Sequence, residues 1–351
     1  MTDDEGGRFA QAVGAPEDTA LTRLFELADM ATPMAIRVAA TLRLADLIAS
    51  GADTPTELAA RAGVDGGALA RVLRHLAEHG VLAEPEPGHF ALTDLARLLH
   101  DSHPAGLRSW LDLDGAIGRS DMAVAYMLDC VRSGEPGYAS MFGRAYWDDL
   151  NANPALRASF DNLMAAQLAG DGAEIVAAYD WARAAQVVDV GGGDGTLLVQ
   201  ILSACPNVHG TLVEQEAALA RARQNLADHG LTSRCDVVAC SFFDPLPSGG
   251  DIYLLSGVLH DWHDKAAGQI LLRCAQAAQP SGHVMIAERP VGQASDASTS
   301  TAMDLRMLIT LGGRERTLED YRSLATEAGL VMVDAIPAGS RHLLKCVPLA
   351  V

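Results

Sequence analysis

The sequence predicts an α/β protein: a doubly wound, mostly parallel sheet preceded by a mainly α-helical N-terminal domain containing a winged helix. Three observations carry this reading. From Tyr179 onward, short apolar β-propensive runs alternate with helical patterns, as expected for parallel strands joined by crossover helices. Within that stretch residues 187–198, VVDVGGGDGTLL, pass from a buried strand through a glycine turn into a helix. Upstream, residues 54–100 hold two helical patterns followed by a strand pair broken by Pro85, Pro87 and Gly88, the outline of a helix-turn-helix with a wing.

The 351 residues, 49% of them hydrophobic, are enough for two domains. A net charge of −19 argues against a nucleic-acid or anionic-membrane partner. No apolar run approaches the roughly 18 residues of a membrane span, and the acidic start MTDDEGGRFAQ does not resemble a signal peptide. A cytoplasmic protein is expected. Six cysteines (130, 205, 235, 240, 274, 346) without a CxxC pair fit reduced, buried thiols.

In chain order, residues 1–18 are polar and expected to fray. Residues 21–50 place apolar positions at helical spacing, with Pro33 marking a second start and Gly51 a stop. Two helices this apolar need a partner surface, and a second subunit is one candidate. The winged helix follows: Thr54-Pro55 opens its first helix, Gly63 turns the chain, the second helix spans 68–79, and 82–92 form the wing. Its four arginines face six acids, whereas a DNA reader carries a basic face, so the module reads as packing and dimerisation. Residues 104–175 are mostly helical and carry Trp110, Phe142, Tyr146 and Met164, able together to roof an apolar pocket. The expected domains are 1–103, 104–175 and 176–351.

In the last of these, strands are predicted at 187–190, 209–214, 235–240, 251–257, 283–288, 330–336 and 341–347, with helices at 196–204, 216–228, 264–279, 300–311 and 318–328. The final two strands are close enough for a hairpin, giving one antiparallel strand. Ligands of such sheets bind at the carboxyl ends of the strands. Glycines at 191–193 and 195 let the backbone approach a ligand beside a helix N-terminus. Glu214 ends the next strand about twenty residues later, where an acid accepts ribose hydroxyls.

Together TPMAIRVAATLRLADLI, YWDDLNANPALRASFDNLMA, VVDVGGGDGTLL, FFDPLP, LLSGVLHDWHD, AERP and MDLRMLITLGGRERT make nearly the whole chain resemble class I S-adenosylmethionine-dependent O-methyltransferases of the caffeic-acid type, in the actinobacterial branch that tailors aromatic polyketides. The resemblance implies a Rossmann-like methyltransferase domain, S-adenosylmethionine as cofactor, no metal, and a homodimer formed through the N-terminal domain. It implies cofactor contacts from Arg157, Asp189, Gly191, Gly193, Gly195, Glu214, Ser241, Phe242 and Ser256. Arg157 would pair with the cofactor carboxylate. Relatives commonly carry Asp-Phe where this chain has Ser241-Phe242, an uncharged and shorter hydroxyl.

His260, just past a strand end, matches the family's general base. An imidazole titrating near roughly 6.5 is free to take the proton of a phenol whose own pKa is near roughly 10. Glu288 and Glu315 match the two carboxylates that orient it. The substrate side would comprise Trp110, Phe142, Tyr146, Met164, Asp261, Met303, Met307 and Leu308. His260, Asp261, His263 and Asp264 crowd one strand-to-helix turn, and four ligands so placed cannot all converge on one ion.

The resemblance therefore implies methylation of a phenolic hydroxyl on a polycyclic aromatic, an anthraquinone or anthracycline-like polyketide. Some relatives bind the cofactor yet hydroxylate or decarboxylate; those tend to lack a histidine here, and His260 favours methyl transfer. A ligand-sensing winged-helix regulator would require salt-dependent DNA binding, against the acidic module. A nicotinamide dehydrogenase is compatible with the glycine turn alone.

Overall fold

The structure is a computed structural model that describes residues 16–292 and 297–349. It divides into two compact units, residues 1–114 and 115–351. In the N-terminal unit a helix spans Pro16–Ala28, and Asp29 then caps the helix Ala31–Thr41 by accepting from the amides of Ala31 (3.0 Å) and Thr32 (2.8 Å). Arg43, at φ 53°, reverses the chain into a third helix, Leu44–Ala49, where the sequence pattern suggested two. Of the stretch expected to fray, residues 1–15 lie outside the described part, whereas Pro16 already opens a helix.

The winged helix follows its punctuation closely. Thr54 caps Pro55–Ala62, Gly63 ends it at φ 70°, and Asp65 caps Gly66–Glu78. Strands β1 (Leu82–Glu86) and β2 (His89–Leu92) pair antiparallel. Leu44, Leu58, Leu73, Leu76 and Phe90 are buried at its centre. The first helix instead leaves Leu21, Leu24, Phe25 and Leu27 between 52% and 67% exposed.

The C-terminal unit holds the sheet. Its strands are β3 (Gln186–Val190), β4 (His209–Glu214), β5 (Cys235–Ala239), β6 (Ile252–Ser256), β7 (His283–Glu288), β8 (Leu330–Ala338) and β9 (Arg341–Pro348). They lie in the order β5-β4-β3-β6-β7-β9-β8, with β9 antiparallel to both neighbours and every other pairing parallel. The hairpin expected at the end of the chain thus inserts its second strand beside β7. Helices Thr196–Ala204, Glu216–Asp228, Asp264–Ala277, Ala297–Thr310 and Leu318–Glu327 connect the strands. Val187, Leu198, Leu212 and Leu254 fill one face of the sheet, and Val188, Leu255, Ile270 and Ile286 the other.

The helical stretch at 104–175 does not stand apart as a body of its own: residues 115–175 belong to the unit that carries the sheet. The long helix Pro154–Ala178, capped by Asn153, explains this. Ile175 enters the core with Leu198 and Val199, and Gly172 lies so close to Gln200 that a Cβ would collide with its amide.

Candidate active site

Chain direction reverses its order between β3 and β6, so the ends of β3, β4, β6 and β7 open onto one crevice. Gly191, Gly193 and Gly195 all take positive φ (73°, 59° and 77°), which side-chain-bearing residues rarely adopt. A Cβ on Gly192 would strike the Asp189 carboxylate and Leu212, while one on Gly193 would meet nothing within 4 Å. The turn is packed underneath and open above. Glu214 accepts from the Gly193 amide (3.1 Å) and from its neighbour Gln215 (2.7 Å). Asp194 buttresses the turn, accepting from the Thr196 hydroxyl at 2.7 Å and from Arg221 at 3.3 Å.

Asp189 is 1% exposed, and neither carboxylate oxygen has a hydrogen-bond partner; the Ser256 hydroxyl at the end of β6 is also buried without one. Burial, reinforced by the nearby charges of Glu214 and Asp194, pushes Asp189 up to about 7. Burial likewise raises Glu214. An acid-rich crevice with orphaned oxygens suits a ligand that carries positive charge and hydroxyls. Phe242 completes the wall, lying near 3.5 Å from the position a Gly191 Cβ would take. Its ring joins Phe243 and Trp262 in edge contacts at 5.1 and 5.8 Å. Ser241 is partly committed, because its hydroxyl accepts from the Phe243 amide at 3.3 Å. Arg157 is held by Asp161 at 2.9 Å and Asn151 at 3.4 Å. These residues fit S-adenosylmethionine, a sulfonium and ammonium cation with a ribose and an adenine.

His260 sits in a short turn, Leu259–Asp261, that follows β6. The turn abuts the glycine loop through Val258, whose side chain lies 3.0 Å from a notional Gly191 Cβ. Nδ1 of His260 meets Glu315 Oε1 at 3.0 Å, and Nε2 lies 3.4 Å from Asp261 Oδ1. Glu288 corrects one expectation. Its Oε1 accepts from the backbone amides of Val258 (3.1 Å) and Leu259 (2.9 Å), so it fixes the turn's backbone while Glu315 alone of the two holds the ring. Its charge still matters: although burial works against imidazolium, Glu288, Asp261 and Glu315 outweigh it and raise His260 to about 10. The carboxylates thus hold the imidazole of the ligand-free protein above the ordinary range near roughly 6.5. Burial and the two glutamates raise Asp261 to about 7 against the lowering effect of His260. His263 turns away to accept from the Ala266 amide at the start of the next helix, which removes it from the crowded set of four.

The apolar side is a nest of rings. Tyr146 contacts Trp147 (5.2 Å), Tyr138 (5.2 Å) and Phe160 (6.1 Å), and Phe142 lies 4.6 Å from Tyr138. Leu308 and Ile309 of the helix Ala297–Thr310 pack against the same group. The Tyr146 hydroxyl is buried without a partner, and it feels the Asp261 charge. Met303 and Met307 lie on the Ala297–Thr310 helix. Met164 lies two turns along its helix from Arg157, half-buried. Trp110 belongs to the N-terminal unit, half-buried on the helix Leu107–Leu111.

Two residues here, Arg119 and Arg316, were not singled out by the sequence reading. Arg119 stacks on Phe142 at 3.9 Å and donates to the Tyr138–Asp149 pair, an arrangement only tertiary contact creates. Arg316 is buried against the His260 turn, although an arginine among charged neighbours reads as surface.

A model of the O-methyltransferase domain matches residues 124–331, and a model of the O-methyltransferase dimerisation domain matches residues 25–102. The 2,7-dihydroxy-5-methyl-1-naphthoate 7-O-methyltransferase of Streptomyces carzinostaticus is 46% identical over 311 residues, covering 89% of this chain and 93% of its own. Aclacinomycin 10-hydroxylase RdmB of Streptomyces purpurascens is 43% identical over 333 residues, 93% and 89% of the two chains. Among solved structures, the O-methyltransferase NcsB1 from neocarzinostatin biosynthesis, in complex with S-adenosylmethionine and 2-hydroxy-5-methyl naphthoic acid, superposes with a TM-score of 0.89 at 43% identity, covering 97% of this chain and 100% of that one. With an acid-rich glycine crevice beside a carboxylate-held histidine, and both domain models matched in order, the chain belongs to the O-methyltransferase family.

Proposed function

We propose that this protein transfers a methyl group from S-adenosylmethionine to a phenolic hydroxyl of a polycyclic aromatic polyketide, naphthoate-, anthraquinone- or anthracycline-like, with His260 as general base. The observation that carries the reading is the His260 imidazole, gripped at Nδ1 by Glu315 one residue pair away from the contact between Val258 and the glycine turn. Asp189, Glu214, Phe242, Ser256 and Arg157 would hold the cofactor, with the glycines supplying backbone approach. When bound, S-adenosylmethionine supplies a methyl group already activated by its sulfonium charge.

The chain's own residues do the rest. Glu288 fixes the backbone of the turn and Glu315 fixes the ring plane, so Nε2 faces the reaction side as the acceptor nitrogen. Nε2 can accept a proton only while its lone pair is free, and the Asp261 carboxylate lies beside it at 3.4 Å. With Nε2 free, the imidazole takes the phenolic proton as the oxygen attacks the donor's methyl, and the charges of Glu288, Asp261 and Glu315 stabilise the imidazolium that results. The ring nest around Tyr146, with Leu308, excludes water and presents flat apolar surface to a fused aromatic acceptor. The proposal includes a homodimer formed through the N-terminal unit and a cytoplasmic location.

Incubation with methyl-labelled S-adenosylmethionine and a panel of hydroxynaphthoates and hydroxyanthraquinones, followed by mass spectrometry, tests it. A labelled monomethyl ether is expected. Because a 43% identical relative is named a hydroxylase, an unlabelled hydroxylated or decarboxylated product is the outcome that overturns the proposal.

A further inference from the structure

We infer that Arg316 is a positioning residue that sets the His260 imidazole for proton transfer, an inference that rests on reading His260 as the base. Its side chain is 0% exposed, and a buried guanidinium is unfavourable unless its donors are met. They are met by the turn itself. Nη1 donates to the Leu259 carbonyl (2.7 Å), Nη2 to the Trp262 carbonyl (2.7 Å), and Nε and Nη2 to Asp264 Oδ1 (3.0 and 2.8 Å). Leu259 and Trp262 bracket His260 and Asp261 in the chain. One rigid fork therefore pins both ends of the segment that carries the base.

The neighbours of Arg316 tighten the same seam. The Arg314 amide donates to the His260 carbonyl at 2.9 Å, and a Cβ on Gly313 would collide with that carbonyl. Glu315, between the two arginines, reaches His260 Nδ1 at 3.0 Å. Rotation of the 314–316 strip would thus move Glu315 and His260 out of register together. A lysine keeps the charge of Arg316 but offers a point donor that cannot span two carbonyls and a carboxylate.

The test compares wild type, R316K, D264N and H260A. Turnover is measured on an unactivated phenol and on a nitro-substituted phenol already ionised at the assay pH, with S-adenosylmethionine affinity by calorimetry and the His260 ring followed by 15N NMR against pH. The charged groups acting on that ring are Asp261, Glu288 and Glu315, and Asp261 in turn acts on Tyr146.

For R316K, kcat on the unactivated phenol should fall about 10- to 100-fold, part of the range for a general base, with cofactor affinity changed less than about twofold and little loss on the ionised phenol. The His260 titration should move. D264N, which strips the fork of its carboxylate, should show the same pattern more weakly and serves if R316K does not fold. Equal losses on both acceptors, or an unmoved His260 titration, overturn the inference and leave Arg316 a structural plug. Full turnover by H260A on the unactivated phenol would instead overturn the base reading, and the NMR titration would still judge Arg316.

Discussion

Replacing Glu315 by glutamine removes one negative charge from beside His260 while keeping an oxygen that can accept from Nδ1 across the same 3.0 Å. A hydrogen bond to a charged group contributes roughly 1.5–3 kcal/mol against roughly 1 kcal/mol for a neutral one. The difference, at about 1.4 kcal/mol per pH unit, lowers the imidazole by roughly one unit. A Coulomb bound of about 4 kcal/mol for charges 4 Å apart at an effective dielectric near 20 caps the shift near three units. His260 is 24% exposed, which favours the lower end. Since three carboxylates raise His260 to about 10, the wild-type acid limb of kcat/KM should lie well above pH 6.5. In E315Q it should move to lower pH while the plateau falls. The same group stabilises the fold below its ordinary titration point, and that contribution fades as pH climbs toward 10. E315Q should therefore lower the melting temperature at pH 7 more than at pH 10. Following S-adenosylhomocysteine release across pH in both proteins reads the effect directly. An acid limb that stays in place, or moves upward, would refute the view that Glu315 charges the imidazole.

Other expectations follow from the same site. H260A should lose about 10²- to 10⁴-fold in turnover on a non-ionised phenol with little change in cofactor affinity by calorimetry. D189N should stabilise the ligand-free protein, because Asp189 is raised from 3.8 to about 7 by burial; ionising it destabilises the fold as pH rises through that window, by up to about 4 kcal/mol at about 1.4 kcal/mol per unit. Melts at pH 6 and 8.5 should differ less in D189N than in wild type, and the S-adenosylmethionine affinity of D189N should drop. E214Q should weaken cofactor binding about 10-fold or more by calorimetry while leaving turnover partly recoverable at high cofactor concentration, whereas unchanged binding would remove Glu214 from the site. Leu24 and Phe25, 65% and 60% exposed, should anchor the dimer, so L24E/F25D should elute as a monomer in size-exclusion chromatography with light scattering.

Much of the C-terminal unit was legible because its central strands β3, β4, β6 and β7 are buried along almost their whole length and bounded by turns. The glycine run fixed where β3 ends, Pro337 to Ser340 marked the hairpin, and Glu214 announced the end of β4. The Arg43 reversal was hidden, since a left-handed arginine has no sequence signal and the apolar spacing continues through it. The division of labour between Glu288 and Glu315 was hidden too. Both are strand- or loop-end acids, and only the backbone path shows that one faces amides and the other a ring. The raised titration of His260 could not be read either, because it arises from three carboxylates drawn from segments as far apart as 261 and 315.

The placement of the tryptophans gives the molecule a built-in optical reporter. Trp262 is in edge contact with Phe242 and Phe243 at 5.8 and 5.0 Å, Trp147 with Tyr146 and Phe160 at 5.2 and 5.3 Å, and Trp181 is sealed in the core, its indole nitrogen donating to Ile175. On a W110F background that removes the fourth indole, arrival of an adenine or of a fused aromatic ring should quench Trp262 or Trp147 while Trp181 stays constant. W147F and W262F would then resolve the order in which the two ligands enter from intrinsic emission alone.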